Sequence, residues 1–157
     1  GDIFRANVSQ GTQRGRQAQE YMDKGEYVPD DVTNAMVRDR LTWEDAITGF
    51  ILDGYPRTTA QVDELDSMLS DAGAALDIVI ELQADADVLV DRLVKRSEQQ
   101  GRSDDDPSVI RRRLDVYDEQ TAPLLAIYDG RGLLRKVDGL GEIGDVTSRL
   151  AAAVDSR

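Results

Sequence analysis

Residues 49–61 read GFILDGYPRTTAQ, and they decide the fold because they join an apolar run to a turn crowded with groups able to hold a ligand. Phe50, Ile51 and Leu52 stand unbroken between Gly49 and Asp53, the pattern of a strand covered on both faces. Three residues then stop the run. Asp53 offers a local side-chain acceptor, Gly54 a backbone free to take positive φ, and Pro56 a fixed φ. Arg57 follows at once, and a helix is expected from Thr58. That order sets Asp53 and Arg57 at the carboxyl edge of the strand, where open α/β sheets bind ligands. Thr58 and Gln61 also have the T-x-x-Q spacing of a capping box, which gives the Gln61 amide a local use at the helix start.

The chain of 157 residues suits one domain with a single core, and its 31 acidic and 19 basic residues give a formal charge of −12. Such a balance repels nucleic acid and anionic membrane surfaces, so neither is an expected partner and any anion site must be local. No apolar run is long enough to span a bilayer and the start is not signal-like, so a soluble, cytoplasmic protein is expected. Cysteine and histidine are both absent. Their absence removes disulfides, thiolate metal sites, the usual zinc ligand and the usual general base. The chain starts at Gly1 rather than Met, and is expected to lack its natural beginning.

Taken in order, the spacing predicts a helix over 2–9 with Ile3, Phe4 and Val8 as its stripe, then a thin amphipathic helix over 12–24 ended by Gly25. After the bridge Glu26, Tyr27, Val28 and Pro29, either Asp30 or Asp31 caps a third helix running to Leu41, with Trp43 as an apolar anchor beyond it. Val62, Leu65, Met68, Leu69 and Ala72 mark a helix packed on a sheet, ended by Gly73. Residues 78–82 (IVIEL) make the next strand, and Asp85 caps a helix through Leu89, Val90, Leu93 and Val94. Residues 97–107, SEQQGRSDDDP, read as a polar surface loop. A long helix from Ser108 carries Ile110, Leu114, Tyr117, Thr121, Leu125 and Tyr128 on one side and bends at Pro123. A strand over 133–137 and a helix over 143–154 close the chain. Strand and helix alternate, which implies right-handed crossovers and an α/β fold with a parallel sheet.

Arginines mark where that fold should act. Arg92 and Arg96 are four apart and share a helix face, Arg102 lies in the polar loop, and Arg113 sits beside Leu114 on the long helix. Together with Arg57 and Arg5, six guanidinium groups are expected around one crevice of an acidic protein. Taken singly, each suits a surface pair with one of the many carboxylates. As a set they suit phosphate oxygens and a transferring phosphoryl group.

These residues resemble the nucleoside monophosphate kinases, and among them adenylate kinase. The resemblance runs through GDIFRA at 1–6, DGYPRTTAQ at 53–61, RLVKR at 92–96, GRSDD at 101–105, Arg113, TAPLL at 121–125 and KVDG at 136–139. It covers essentially the whole chain. It implies a P-loop kinase-like parallel sheet with flanking helices: a helical acceptor lobe and return helix over 1–41, an α/β core over 42–96 and 108–157, and a short lid without zinc over 97–107.

By the resemblance the substrates are ATP and AMP, the reaction is reversible phosphoryl transfer giving two ADP, and the protein is a monomer. Arg5, Arg57 and Arg113 match the family's contacts to the acceptor phosphate. Arg92, Arg96 and Arg102 match those of the donor and the transferring group, with Arg102 also reaching the acceptor. The backbone of Glu26, Tyr27 and Val28 and of Gly54, Tyr55 and Pro56 lines the AMP pocket, and Gln61 reads the adenine edge. Gly141 lies beside the donor adenine. Asp53 holds the magnesium ion (Mg2+) through water, and Asp104 and Asp105 orient arginines as the lid closes. Closure excludes water, and the chemistry needs alignment and charge neutralisation more than a strong base.

The family's first strand and glycine-rich phosphate loop have no counterpart here, since no G-x-x-x-x-G-K occurs in the 157 residues. The resemblance implies that this strand belongs between those read at Phe50 and Ile78. The chain is therefore expected to be an N-terminally truncated form, poorly stable and inactive alone. Two alternatives share its features: a UMP/CMP kinase, which resembles this pattern but carries Asn in place of Gln61, and a non-catalytic nucleotide-binding module.

Overall fold

The computed structural model of the protein describes residues 2–100 and 107–156. In chain order the first two elements are the helices α1 (Asp2–Ser9) and α2 (Gln13–Met22). Thr12 caps α2 by accepting the Gly15 N–H at 2.9 Å, which satisfies one of the donors a helix start leaves open. Gly15 is buried where the two helices meet, and a Cβ there would collide with the Asn7 carbonyl.

Helix α3 (Asp30–Leu41) follows a four-residue bridge that ends in Pro29. The expected aspartate cap is absent, for Pro29 occupies the cap position and Asp30 is the first helical residue. The Asp30 carboxylate turns instead toward the next helix, as described below. Trp43 is 55% exposed and is no anchor; its ring lies under the Arg40 guanidinium, 4.9 Å from the centroid. An indole covered by a cation gains contact without needing a core.

The expected strand at 50–52 does not form. These residues carry no regular structure and pair with no strand among the described residues, and Ile51 is 95% exposed. A strand needs a neighbour with free backbone groups, and among the described residues β1 (Val79–Gln83) pairs only with β2 (Leu134–Asp138). That pair is parallel, in the register Val79 to Leu134 through Gln83 to Asp138. Each strand lies within one residue of its sequence reading, and α5 (Ala86–Gln100) leaves β1 as expected.

Helix α4 (Thr59–Asp71) begins at the Thr58 cap, whose hydroxyl accepts the Gln61 N–H at 3.2 Å. Its inner face carries Val62, Leu65, Met68 and Leu69, all buried. Val62 packs with Leu124, Tyr128 and Leu134 as a core between α4, β2 and helix α7 (Pro123–Gly130). Two expectations about 97–128 change. Glu98, Gln99 and Gln100 are good helix formers with no breaker before Gly101, so α5 continues through the first four residues assigned to the lid. The long helix is two: α6 (Pro107–Val116) and α7, joined by a wider π-type turn over Tyr117–Thr121. Pro123 has no N–H to give, so the backbone loosens ahead of it and Ala122 donates to the Tyr117 carbonyl five residues back at 2.9 Å. Helix α8 (Ile143–Asp155) packs on β2.

Candidate active site

The turn at 53–57 opens onto a crevice of about 660 Å³, within the size range of small-ligand sites. Arg5 of α1, Arg57 of the turn and Arg113 of α6 all line it, with Glu26, Tyr27, Val28, Asp53, Gly54, Tyr55 and Gln61. Three of the six arginines that the sequence pointed to therefore share one hollow. Gly25 makes the arrangement possible: at φ 72° it turns the chain after α2, and a Cβ there would meet the Val109 carbonyl oxygen at 2.9 Å. The bridge consequently lies tight against α6. Glu26 and Arg112 fasten it with two hydrogen bonds, from Nε at 2.7 Å and Nη2 at 3.1 Å. The Arg112 guanidinium holds the Glu26 carboxyl below the usual carboxylate range.

Arg57 is set by its neighbours. Its Nε donates to the Gly54 carbonyl at 2.7 Å, and Gly54 sits at φ 70°, a backbone conformation that disfavours any side chain, with Arg57 Nη2 in the space a Cβ would take. The guanidinium sits 5.2 Å from the centroid of the Tyr27 ring. The Tyr27 hydroxyl meets Thr121 Oγ1 at 2.5 Å, and that hydroxyl donates to the Arg57 carbonyl at 2.9 Å. Tyr55 donates to Asn34 Oδ1 at 2.8 Å, and burial pushes its hydroxyl pKa well above the ordinary tyrosine value.

Gln61 lines the crevice yet is only 2% exposed. Its Oε1 accepts the backbone N–H of Arg57 at 2.7 Å and its Nε2 donates to Asp30 Oδ1 at 2.7 Å. The capping relation expected from T-x-x-Q is thus present in altered form, because the amide reaches the residue before the cap rather than the cap itself. Asp30 Oδ2 accepts from the Thr58 hydroxyl at 2.9 Å, so one carboxylate joins the start of α3 to the start of α4.

Arg92 stands elsewhere. It lines a second hollow with Gly139 and Gly141, donating to their carbonyls at 3.1 and 3.4 Å. The expected gathering of arginines is thus divided between two hollows. Arg96 lies on α5, and Arg102, Asp104 and Asp105 fall outside the described residues. Pro56, expected with Gly54 and Tyr55 in the pocket wall, follows a cis peptide bond and is not among the residues that line the crevice.

The adenylate kinase family model matches residues 1–133. The adenylate kinase of Kocuria rhizophila is 59% identical over 155 residues, which is 99% of this chain and 82% of that protein. That of Nocardioides sp. is 57% identical over 99% of this chain and 81% of its own length, and that of Thermobifida fusca 55% identical over 100% and 83%. The chain belongs to the adenylate kinase family. Its parallel strand pair and flanking helices fit that family's α/β fold.

Three ties in this adenylate kinase family member escape a sequence reading. Asp30 read only as a helix cap, Arg112 is one of three adjacent arginines with nothing to single it out, and Thr121 read as part of a helix stripe. Each acts through a partner 28 to 94 positions away, a distance no local pattern reports.

Proposed function

We propose that the protein is a nucleoside monophosphate kinase that transfers a phosphoryl group reversibly from ATP to AMP, with AMP in the crevice beside 53–57. The observation that carries this is the presence of Arg5, Arg57 and Arg113, distant in sequence, along one hollow of a protein with net charge −12. Guanidinium groups gathered against the overall field make a local anion site, and their forks suit the oxygens of a phosphate monoester. Gln61 on the same wall supports a purine edge as the other end of the ligand, and Glu26, Tyr27, Val28, Gly54 and Tyr55 line the walls. Arg92 in the hollow with Gly141 supports a separate donor-nucleotide seat, to which Arg96 and Arg102 are assigned by the resemblance.

Among the described residues no three acidic or metal-ligating side chains gather as a cage, but Asp53 lines the crevice. One carboxylate with nucleotide phosphates and water is a common setting for Mg2+. Asp53 would hold water on that ion, which when bound neutralises phosphate charge. The chain's own residues then align acceptor and donor and balance the charge that moves between them, so the absence of histidine is no obstacle. Among the described residues no helix is long and apolar enough to cross a membrane. A cytoplasmic monomer is the accompanying reading, and size-exclusion chromatography tests its oligomeric part.

The test is ADP formation by the full-length protein. Arg57→Ala and Arg113→Ala should each lower kcat by about a hundredfold to a thousandfold with an unchanged circular dichroism spectrum. Undiminished turnover in either variant removes that arginine from the site, and faster turnover of CMP or UMP than AMP overturns the choice of acceptor.

A further inference from the structure

A glutamine amide has two faces of opposite polarity, and rotation by half a turn exchanges them at almost no cost in shape. In most settings such a side chain can therefore present donor and acceptor in either order. Gln61 cannot. On one side stands the Arg57 backbone N–H, which can only donate; on the other stands the Asp30 carboxylate, which as an ion can only accept. Turning the amide over would set N–H against N–H at 2.7 Å and carbonyl oxygen against carboxylate at 2.7 Å. Asp30 is itself fixed, because its second oxygen accepts from Thr58 Oγ1, and that hydroxyl also accepts the Gln61 N–H.

Each partner uses one lone pair or one N–H of the amide, leaving one lone pair on Oε1 and one N–H on Nε2. Those remaining groups keep the same fixed polarity, acceptor on Oε1 and donor on Nε2. Gln61 lines the crevice, whereas Asp30 and Thr58 do not. We propose that Asp30, working against the Arg57 N–H, is a positioning residue that fixes the polarity of the Gln61 amide and so makes the site discriminate between 6-amino and 6-oxo purine monophosphates. Adenine offers a donor at its 6-amino group beside an acceptor at N1, and hypoxanthine offers the reverse, an acceptor at O6 beside a donor at N1. With the phosphate held by arginines the base has one orientation to offer. A locked amide matches one order and opposes the other; a freely turning amide matches both. The inference rests on Gln61 as the base-reading residue of the proposed AMP seat.

The experiment compares kcat/KM for AMP and IMP in the full-length protein and in its Asp30→Asn, Asp30→Ala and Gln61→Ala variants, with thermal unfolding of each as a check on folding. IMP is the right probe because it differs from AMP at the reading edge alone. Asparagine is isosteric with Asp30 but can offer Gln61 either an acceptor or a donor, so D30N loosens the lock with little change of shape and carries the test if D30A folds poorly. The AMP to IMP preference is expected to fall about tenfold or more in the Asp30 variants, through both loss on AMP and gain on IMP. A general structural role would lower both substrates together and leave the ratio unchanged. An unchanged ratio in D30N and D30A, with the preference lost in Gln61→Ala, overturns the orienting role of Asp30 and leaves the base reading standing. A wild-type ratio in Gln61→Ala overturns the base reading itself and the proposal with it.

Discussion

Arg57 is held from three directions: by its own turn through Gly54, by the face of Tyr27, and through its carbonyl by Thr121. A cation over an aromatic face is stabilised by about 0.5–2 kcal/mol, so Tyr27 should help keep this guanidinium toward the crevice. Tyr27→Phe keeps the ring and loses the bond to Thr121; Tyr27→Leu loses both. The expected order of KM for AMP is wild type, then Phe, then Leu, the last raised several-fold, and a Leu variant matching wild type would contradict it. Tyr128 offers a second residue-scale prediction. Its hydroxyl is buried with no hydrogen-bond partner among the described residues, and burial pushes its pKa up to about 12 from 10.0. A raised folded value means stability that is present below pH 10 and falls as pH rises through 12. Tyr128→Phe should remove that alkaline loss and raise the melting temperature slightly near neutrality, since an unsatisfied buried hydroxyl is costly. At this scale the sequence was legible where a residue type has few uses. Arg57 and Gly54 were both identifiable, whereas the ties of Tyr27 to Thr121 and of Asp30 to Gln61 depend on folding that brings distant segments together.

Helices were read well from the sequence because their signals are local. The Thr58 cap, Gly25 and Gly73 as stops, and the stripe of α4 all lie within a few positions of what they control. Leu65, fully buried on α4, should cost about 2–5 kcal/mol on replacement by alanine, measured by denaturant unfolding; a cost below 1 kcal/mol would show that α4 packs elsewhere. The apolar run at 50–52 failed as a strand for the opposite reason. A strand is made by its neighbour, and a run of three apolar residues carries no information about whether one is present. The tie between the 26–29 bridge and α6 carries a pH prediction. Glu26 has a lowered folded pKa, so its contribution is present above its unfolded value of 4.5 and is lost as pH falls through the lower folded value. Arg112→Met should therefore flatten the acid limb of melting temperature as pH falls below 4.5. An acid limb as steep as wild type would mean that the pair does not hold the bridge.

Across the whole molecule, the acidic exterior and the arginine-lined interior of one crevice belong to a single arrangement. A chain with net charge −12 disfavours anions broadly, so the proposed acceptor seat lies where guanidinium groups from α1, the 53–57 turn and α6 line one hollow. The α/β alternation and the choice of these arginines were legible because motifs and order survive without coordinates. The resemblance had already assigned Arg92 and Gly141 to the donor and Arg5, Arg57 and Arg113 to the acceptor; residue spacing alone, which gathered all six arginines around one crevice, could not report that Arg92 meets the Gly139 and Gly141 carbonyls, because that depends on how α5 leaves β1 and meets the end of β2. The most direct test is a crystal structure of the full-length protein with AMP. The phosphate should lie within hydrogen-bond reach of Arg5, Arg57 and Arg113, with the adenine edge at Gln61. AMP bound away from this crevice, with those three side chains unchanged, would contradict the account.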